Sequence, residues 1–425
     1  MKRADPRPYN PDGRPYFEGF DPASVPSPCY VIDRAAVEWN LEILRDVADR
    51  SGATMLLALK AFAPPPLFPL FREYLDGACA SGVYEARLAR EEIAPALPPD
   101  APSRPFHVHT FAPAYSGEDL DVLLEISDHL LFNSLEQWGR FRDRCLAAPR
   151  RLTFGLRVNP ECSLGRVPLY DPCAPASRLG ITAVELDRQR AAMRRAESSS
   201  SAFSDPLDGI TEIHFHTLCE DDSRALERTL QALENGFSTV LADPRITCLN
   251  MGGGHHITKR DYDRDHLVKL VRDARERFGL EVVLEPGEAA AIHTGILVAS
   301  VLDLARNGAD LAILDTSATA HMPDTLEMPY RPDVWGALEP GSEGFTYRLG
   351  GQTCLAGDVI GDYSFETPLQ RGDRIVFDDM SHYTMVKTTT FNGIPLPSLA
   401  LWDSRTGTLR IERRPAYEDF RSRLG

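Results

Sequence analysis

Lys60 closes the apolar run Met55-Leu56-Leu57-Ala58-Leu59. Far along the chain come Asn250-Met251-Gly252-Gly253-Gly254-His255-His256 and then Leu284-Glu285-Pro286-Gly287-Glu288. A lysine at a strand's end can join covalently to an aldehyde. A run of glycines lets backbone N–H groups approach a phosphate, and a strand-end carboxylate can hold a heterocyclic nitrogen protonated. Each piece alone has a plainer explanation, since strand-end lysines commonly snorkel to the surface and glycine runs commonly turn the chain. The three together point to pyridoxal 5'-phosphate, held by Lys60, Gly252, Gly253, Gly254 and Glu285.

Such residues need elements that bring them to one place. Cys29-Tyr30-Val31-Ile32 reads as a strand, and Asp33 as the N-cap of a helix whose apolar stripe is Val37, Leu41, Leu44 and Ala48. Eight short apolar segments follow: Thr54–Lys60, Asp76–Ala80, Phe106–Thr110, Asp128–Asn133, Leu152–Val158, Thr211–His216, Ile246–Met251 and Glu281–Glu285. Helical stretches at Tyr84–Ile93, Ser134–Leu146, Ser223–Leu241 and Asp263–Phe278 separate several of them. Eight strands with helical crossovers make a (β/α)8 TIM-like barrel over residues 34–295. Read forward, the segments end at or beside Lys60, Ser81, His109, Asn133, Arg157 or Asn159, His216, Gly252 and Glu285. These collect on the C-terminal, catalytic face of such a barrel, with the glycines after the seventh strand, where phosphate is commonly bound. Past residue 295 the texture turns to short β runs, Leu311–Leu314, Phe345–Leu349, Arg374–Phe377 and Leu409–Arg413. With the early strand they make a mainly β domain of residues 1–33 and 296–425. Ser198–Ser201 reads as a surface insertion.

The chain of 425 residues, 43% hydrophobic and 25% charged, has the composition of a globular protein with room for two or three domains. Its net charge of −16 disfavours nucleic acid and anionic membranes as partners and would draw in a cationic substrate. No apolar run is long enough for a bilayer, and Met1-Lys2-Arg3-Ala4-Asp5-Pro6 lacks a secretion signal's apolar core. Eight cysteines without a Cys-x-x-Cys pair fit reduced thiols, so a cytoplasmic protein without a structural metal is expected.

Several stretches carry a family resemblance. They are Ala58-Leu59-Lys60-Ala61-Phe62, His214-Phe215-His216-Thr217-Leu218-Cys219-Glu220, Asn250 to Thr258, Glu285-Pro286-Gly287-Glu288-Ala289, Leu314-Asp315-Thr316-Ser317-Ala318-Thr319, Met322-Pro323-Asp324 and Thr353-Cys354-Leu355-Ala356-Gly357-Asp358. From about Pro26 to the C-terminal region the chain resembles the carboxynorspermidine/carboxyspermidine decarboxylases. These belong to the alanine-racemase-fold (fold type III) decarboxylases, with those of ornithine, arginine and diaminopimelate. Ala61, Ala320 and Gln352 depart from the expected pattern without touching a catalytic role.

The resemblance implies an ornithine-decarboxylase-like barrel and β domain, a homodimer with shared active sites, and removal of carbon dioxide from a polyamine acid. It makes Lys60 the lysine that carries the cofactor, Glu285 the partner of its ring nitrogen and His216 the residue stacked on its ring. Gly252, Gly253, Gly254 and Tyr383 become phosphate contacts. Cys354 becomes the proton donor reaching into the neighbouring subunit's site. Glu288 stands where ornithine-type relatives carry a basic residue, and an acid there suits a polycationic tail; Asp324, Asp315 and Asp358 are further candidates for the substrate. Apart from the resemblance, Tyr383 could be a core tyrosine, Cys354 an ordinary buried cysteine, and the carboxylates surface or capping residues. The pairs His107-x-His109 and His214-x-His216 also have the alternate spacing of metal-dependent barrel hydrolases, but not on the first strand where those usually lie. His107 and His214 otherwise fill the barrel or support its site residues. Diaminopimelate or arginine decarboxylation, and a non-catalytic regulatory relative, are the alternatives; a dead relative would be expected to lose the lysine or the proton donor, and this chain keeps both.

Overall fold

A computed structural model describes residues 16–99, 104–165, 167–197 and 205–425; the Ser198–Ser201 insertion and residues 1–15 of the β domain lie outside them. The chain divides into two compact units, Leu41–Ala290 and Met1–Asn40 with Ala291–Gly425. The helix Arg34–Ser51 spans the passage from one to the other, and Asp33, which precedes it, accepts from the Ala35 N–H.

The first strand, β1 (Cys29–Asp33), belongs to the discontinuous unit. The continuous unit contains β2 (Thr54–Ala58), β3 (Gly77–Ala80), β4 (His107–Phe111), β5 (His129–Phe132), β6 (Thr153–Arg157), β7 (Ile210–His214), β8 (Cys248–Asn250) and β9 (Glu281–Leu284). Each pairs in parallel with the next, and β2 with β9, closing an eight-stranded barrel. Parallel strands need crossovers. Here Leu135–Leu146, Ser223–Leu241 and Arg264–Phe278 supply several, with side-chain caps from Ser134, Asp222 and Asp263 and a left-handed Gly279 at the end of the last.

Successive strand residues face opposite sides. In β7, Ile213 is completely buried on one face while Glu212 and His214 turn to the other, where they meet His129 and Glu285. His107, His109 and Phe111 of β4 likewise share a side, as do Cys248 and Asn250 of β8. The barrel interior is therefore unusually polar, although Leu56, Cys248 and Val283 still form an apolar plug.

The other unit holds β10 (Gly295–Asn307), β11 (Ala309–Leu314), β12 (Phe345–Gly350), β13 (Val359–Phe365), β14 (Arg374–Phe377), β15 (Ser398–Asp403) and β16 (Thr408–Arg413). The sheet order is β13-β12-β11-β10-β1-β15-β16, with β14 also paired to β10. One long strand does two jobs: the start of β10 pairs with β1 and β14, and from Val301 on it pairs with β11, with a register shift between Val301 and Asp303. Alternation again sorts the core. Tyr30, Leu297 and Ala299 pack into one apolar cluster, Val31, Ile296 and Val298 into another.

Candidate active site

At the C-terminal face of the barrel the alternating positions run out into loops. Lys60 lies two residues past β2 with its side chain exposed. Glu285 follows β9, 12% exposed, and accepts at Oε1 from Asn250 Nδ2 at 2.8 Å, with His214 Nε2 3.6 Å from Oε2. Burial alone would raise this carboxyl; His214, the Asn250 hydrogen bond and the Lys60 charge outweigh it and hold the acid down to about 2. The group is thus a carboxylate at any working pH, as a partner for a protonated ring nitrogen must be.

His216 behaves in the opposite way. Burial, reinforced by the charges of Lys60 and Arg157, holds its imidazole well below the usual histidine range. Its Nδ1 accepts the Gly253 N–H at 2.9 Å, so the neutral ring carries its proton on Nε2. A neutral ring suits a face against a flat heterocycle. Arg157 is buried beneath it, donating to the His216 carbonyl at 3.1 Å with its guanidinium 4.6 Å above the Phe111 ring; burial lowers it to about 10.

The triple glycine lies folded against the strand ends. A Cβ on Gly252 would come within 2.5 Å of the Phe215 carbonyl oxygen, on Gly253 within 2.1 Å of that of Glu285, and on Gly254 within 2.0 Å of that of Leu218. Gly252 and Gly254 also have φ of +65° and +85°. Two of the three N–H groups are already committed, Gly252 to Asn250 Oδ1 at 3.0 Å and Gly253 to His216 Nδ1. The loop thus ties His216 and, through Asn250, Glu285 to one piece of backbone. The residues fit the cofactor: an accessible amine at Lys60, an ionised carboxylate at Glu285, a neutral imidazole at His216 and a glycine loop whose close approach to the strand ends leaves no room for a Cβ.

Among the acids expected to touch substrate, Glu288 opens the short helix Glu288–Ala291 and lies 3.2 Å from His256 Nε2. The remaining candidates lie in the β-rich unit. Asp324 accepts at Oδ2 from Tyr330 and Thr384, each at 2.8 Å, while its buried Oδ1 has no partner. Asp358 is engaged with its own surroundings: Ser317 Oγ lies 3.0 Å from both carboxylate oxygens, and the Thr353 hydroxyl and N–H donate at 2.7 and 3.1 Å. Asp315 accepts from the Ser300 N–H at 2.8 Å. Cys354 is exposed on the loop that Asp358 braces, and its N–H donates to Asn392 Oδ1 at 2.7 Å. Tyr383 follows a strained turn, with φ of +55° at Asp379 and +26° at Tyr383 itself. That turn lies directly on Gly295, where a Cβ would come within 2.2 Å of Ser381 Cβ.

Asn250, Arg157 and Glu212 hold Glu285, the His216 carbonyl and Asn250 respectively, roles that no motif of the sequence marks. Strand alternation was the available signal, since Glu212 stands two residues before His214 and four before His216.

A closed parallel barrel bearing a strand-end lysine, an ionised strand-end acid and a glycine loop, with a β sheet domain in the same chain, defines a pyridoxal-phosphate enzyme of the decarboxylase type. Residues 29–381 match the family model "Pyridoxal-dependent decarboxylase, C-terminal sheet domain", and the chain belongs to that family. Its cofactor is pyridoxal 5'-phosphate. A carboxyaminopropylagmatine decarboxylase of Synechocystis sp. is 43% identical over 95% of this chain and 96% of its own length. A carboxynorspermidine/carboxyspermidine decarboxylase of Campylobacter jejuni is 38% identical over 93% and 98%. The crystal structure of carboxynorspermidine decarboxylase complexed with norspermidine, also from Campylobacter jejuni, superposes with a TM-score of 0.78, at 38% identity, over 94% of this chain and all of that one.

Proposed function

We propose that this enzyme removes the α-carboxylate of carboxynorspermidine and/or carboxyspermidine, giving norspermidine or spermidine. A carbon–carbon bond breaks, carbon dioxide leaves, and one proton takes its place on the α-carbon. Bound pyridoxal phosphate supplies the sink for the electron pair that the departing carbon dioxide leaves behind. Lys60 anchors that cofactor, and Glu285 holds a proton at the ring nitrogen because its own carboxyl stays ionised. His216 offers a neutral face, and Tyr383 and the glycines serve the phosphate. Cys354, exposed on its braced loop, returns the proton to the α-carbon in the site of a second copy of the chain.

The observation that carries the substrate class is the set of acids. A diaminopimelate-type substrate ends in a carboxylate and would meet Glu288 where a cation is needed; a polyamine tail would find in Glu288 an acceptor for an amine, and Asp324, whose Oδ1 has no partner, is the second candidate. Asp358 and Asp315 act in folding the β-rich unit. A guanidino-ended acid is the second reading, favoured by the 43% identity to a carboxyaminopropylagmatine decarboxylase. It shares the reacting end and differs only in the tail, and a planar guanidinium can be gripped by a carboxylate through two hydrogen bonds. Eight cysteines, all free, and the absence of any described helix long and apolar enough to cross a membrane accord with a cytosolic enzyme.

The test is a visible spectrum of the purified protein followed by product analysis with all three acids. The expected outcome is a cofactor band lost in Lys60→Ala, and turnover of at least one triamine acid. Turnover of the guanidino acid alone would replace the first reading with the second.

A further inference from the structure

The histidine pair His107-x-His109 has no part in the chemistry above, yet it lies inside the barrel with unexpected company. The His109 and His129 rings stack 3.7 Å apart at 12°. His129 Nδ1 is 2.6 Å from Glu212 Oε2, and His109 Nδ1 is 3.9 Å from Glu212 Oε1. Glu212 is wholly buried, and its Oε1 also accepts from Asn250 Nδ2 at 3.2 Å. That same nitrogen donates to Glu285 Oε1 at 2.8 Å, while Asn250 Oδ1 accepts the Gly252 N–H at 3.0 Å.

His109, His129 and Glu212 place ligand atoms within 4.8 Å of one another, the arrangement of a metal site. A metal would sit about 2.0–2.2 Å from each ligand. The 2.6 Å separation of His129 and Glu212 is a direct hydrogen bond with no room for an ion between them, and two rings stacked face to face cannot both aim in-plane lone pairs at one point. The cluster is a hydrogen-bonded chain instead, running from His129 through Glu212 and Asn250 to Glu285.

The middle of that chain has a choice to make. Asn250 is fully buried, and its amide has a donating and an accepting end. In the observed orientation its NH2 group faces two carboxylates and its oxygen faces an N–H. Turned over, it would set oxygen against both carboxylates and NH2 against the Gly252 N–H. We propose that Glu212, held by His129, is a positioning residue. It fixes the Asn250 amide, which in turn sets the Glu285 carboxylate and the first glycine of the loop for the cofactor. This rests on the assignment of Glu285 to the ring nitrogen.

The experiment is titration of apoprotein with pyridoxal phosphate, followed by fluorescence and absorbance, for Glu212→Gln and Glu212→Leu, each alone and with Asn250→Ala. Glu212→Gln is expected to bind like the parent within about twofold, because its carbonyl still accepts from Asn250 and its NH2 can donate to unprotonated His129. Glu212→Leu is expected to weaken binding by about 10-fold or more, as loss of a charge-assisted hydrogen bond does. With Asn250→Ala present, Glu212→Leu should change binding by less than about twofold. His129→Phe provides the same cycle from the other end if the leucine variant does not fold. Parent-like binding by Glu212→Leu, or equal weakening with and without Asn250→Ala, overturns the proposal alone. A parent apoprotein that takes up no pyridoxal phosphate overturns the cofactor assignment with it.

Discussion

At the scale of single residues, the site separates groups by charge state through burial and neighbours. Glu285 and His216 are both enclosed, and both are coupled to Lys60, but the positive charge stabilises the carboxylate and destabilises an imidazolium. Glu285→Gln, which cannot hold a proton on the ring nitrogen, is expected to keep the cofactor and lose about 10²–10⁴-fold in kcat, the span of lost proton-transfer assistance. Because the folded acid sits lower than an unfolded glutamate, its stabilising contribution is complete above about pH 4.3 and is lost as the pH falls toward its folded value. The difference in unfolding midpoint between parent and Glu285→Gln should therefore stay constant from about pH 5 to 8 and shrink only below that window.

At the scale of elements, placement depends on backbone that cannot move. Gly253 has Glu285's own carbonyl oxygen 2.1 Å from where a Cβ would be. Gly253→Ala is expected to push the loop off the strand, breaking the His216 contact and raising the dissociation constant for pyridoxal phosphate by about 10-fold or more; cofactor titration checks this. Helix starts matter in a plainer way. Asp222 accepts from the N–H groups of Arg224 and Ala225 at 3.0 and 2.9 Å, and Asp222→Ala is expected to cost about 1 kcal/mol. Thermal unfolding should show it while kcat/KM is unchanged. The short β segments were readable because apolar runs bounded by turn residues recur eight times. The strand β10 was not, since its exposed second half, Leu302 to Asn307, carries none of the buried alternation that marks a strand.

At the scale of the whole molecule, the sharing of sites between two copies is the question. If Cys354 serves the partner's lysine, Lys60→Ala and Cys354→Ala are each inactive, yet a refolded mixture contains mixed pairs with one complete site. Equal mixing should then restore about a quarter of parental sites by the statistics of a twofold dimer. Activity of the mixture no greater than the sum of its parts would remove the shared-site reading.

The chain's order of residues by itself determined the barrel and placed Lys60 and Glu285 at strand ends on one face of it, because strand ends in a parallel barrel all point one way. Only the tertiary structure showed which acid braces a loop, as Asp358 does, because that depends on partners distant along the chain. It alone brought Glu212 under Asn250. A glutamate in the middle of a strand reads as a surface residue until the barrel closes around it and sets it against His129, His109 and an amide.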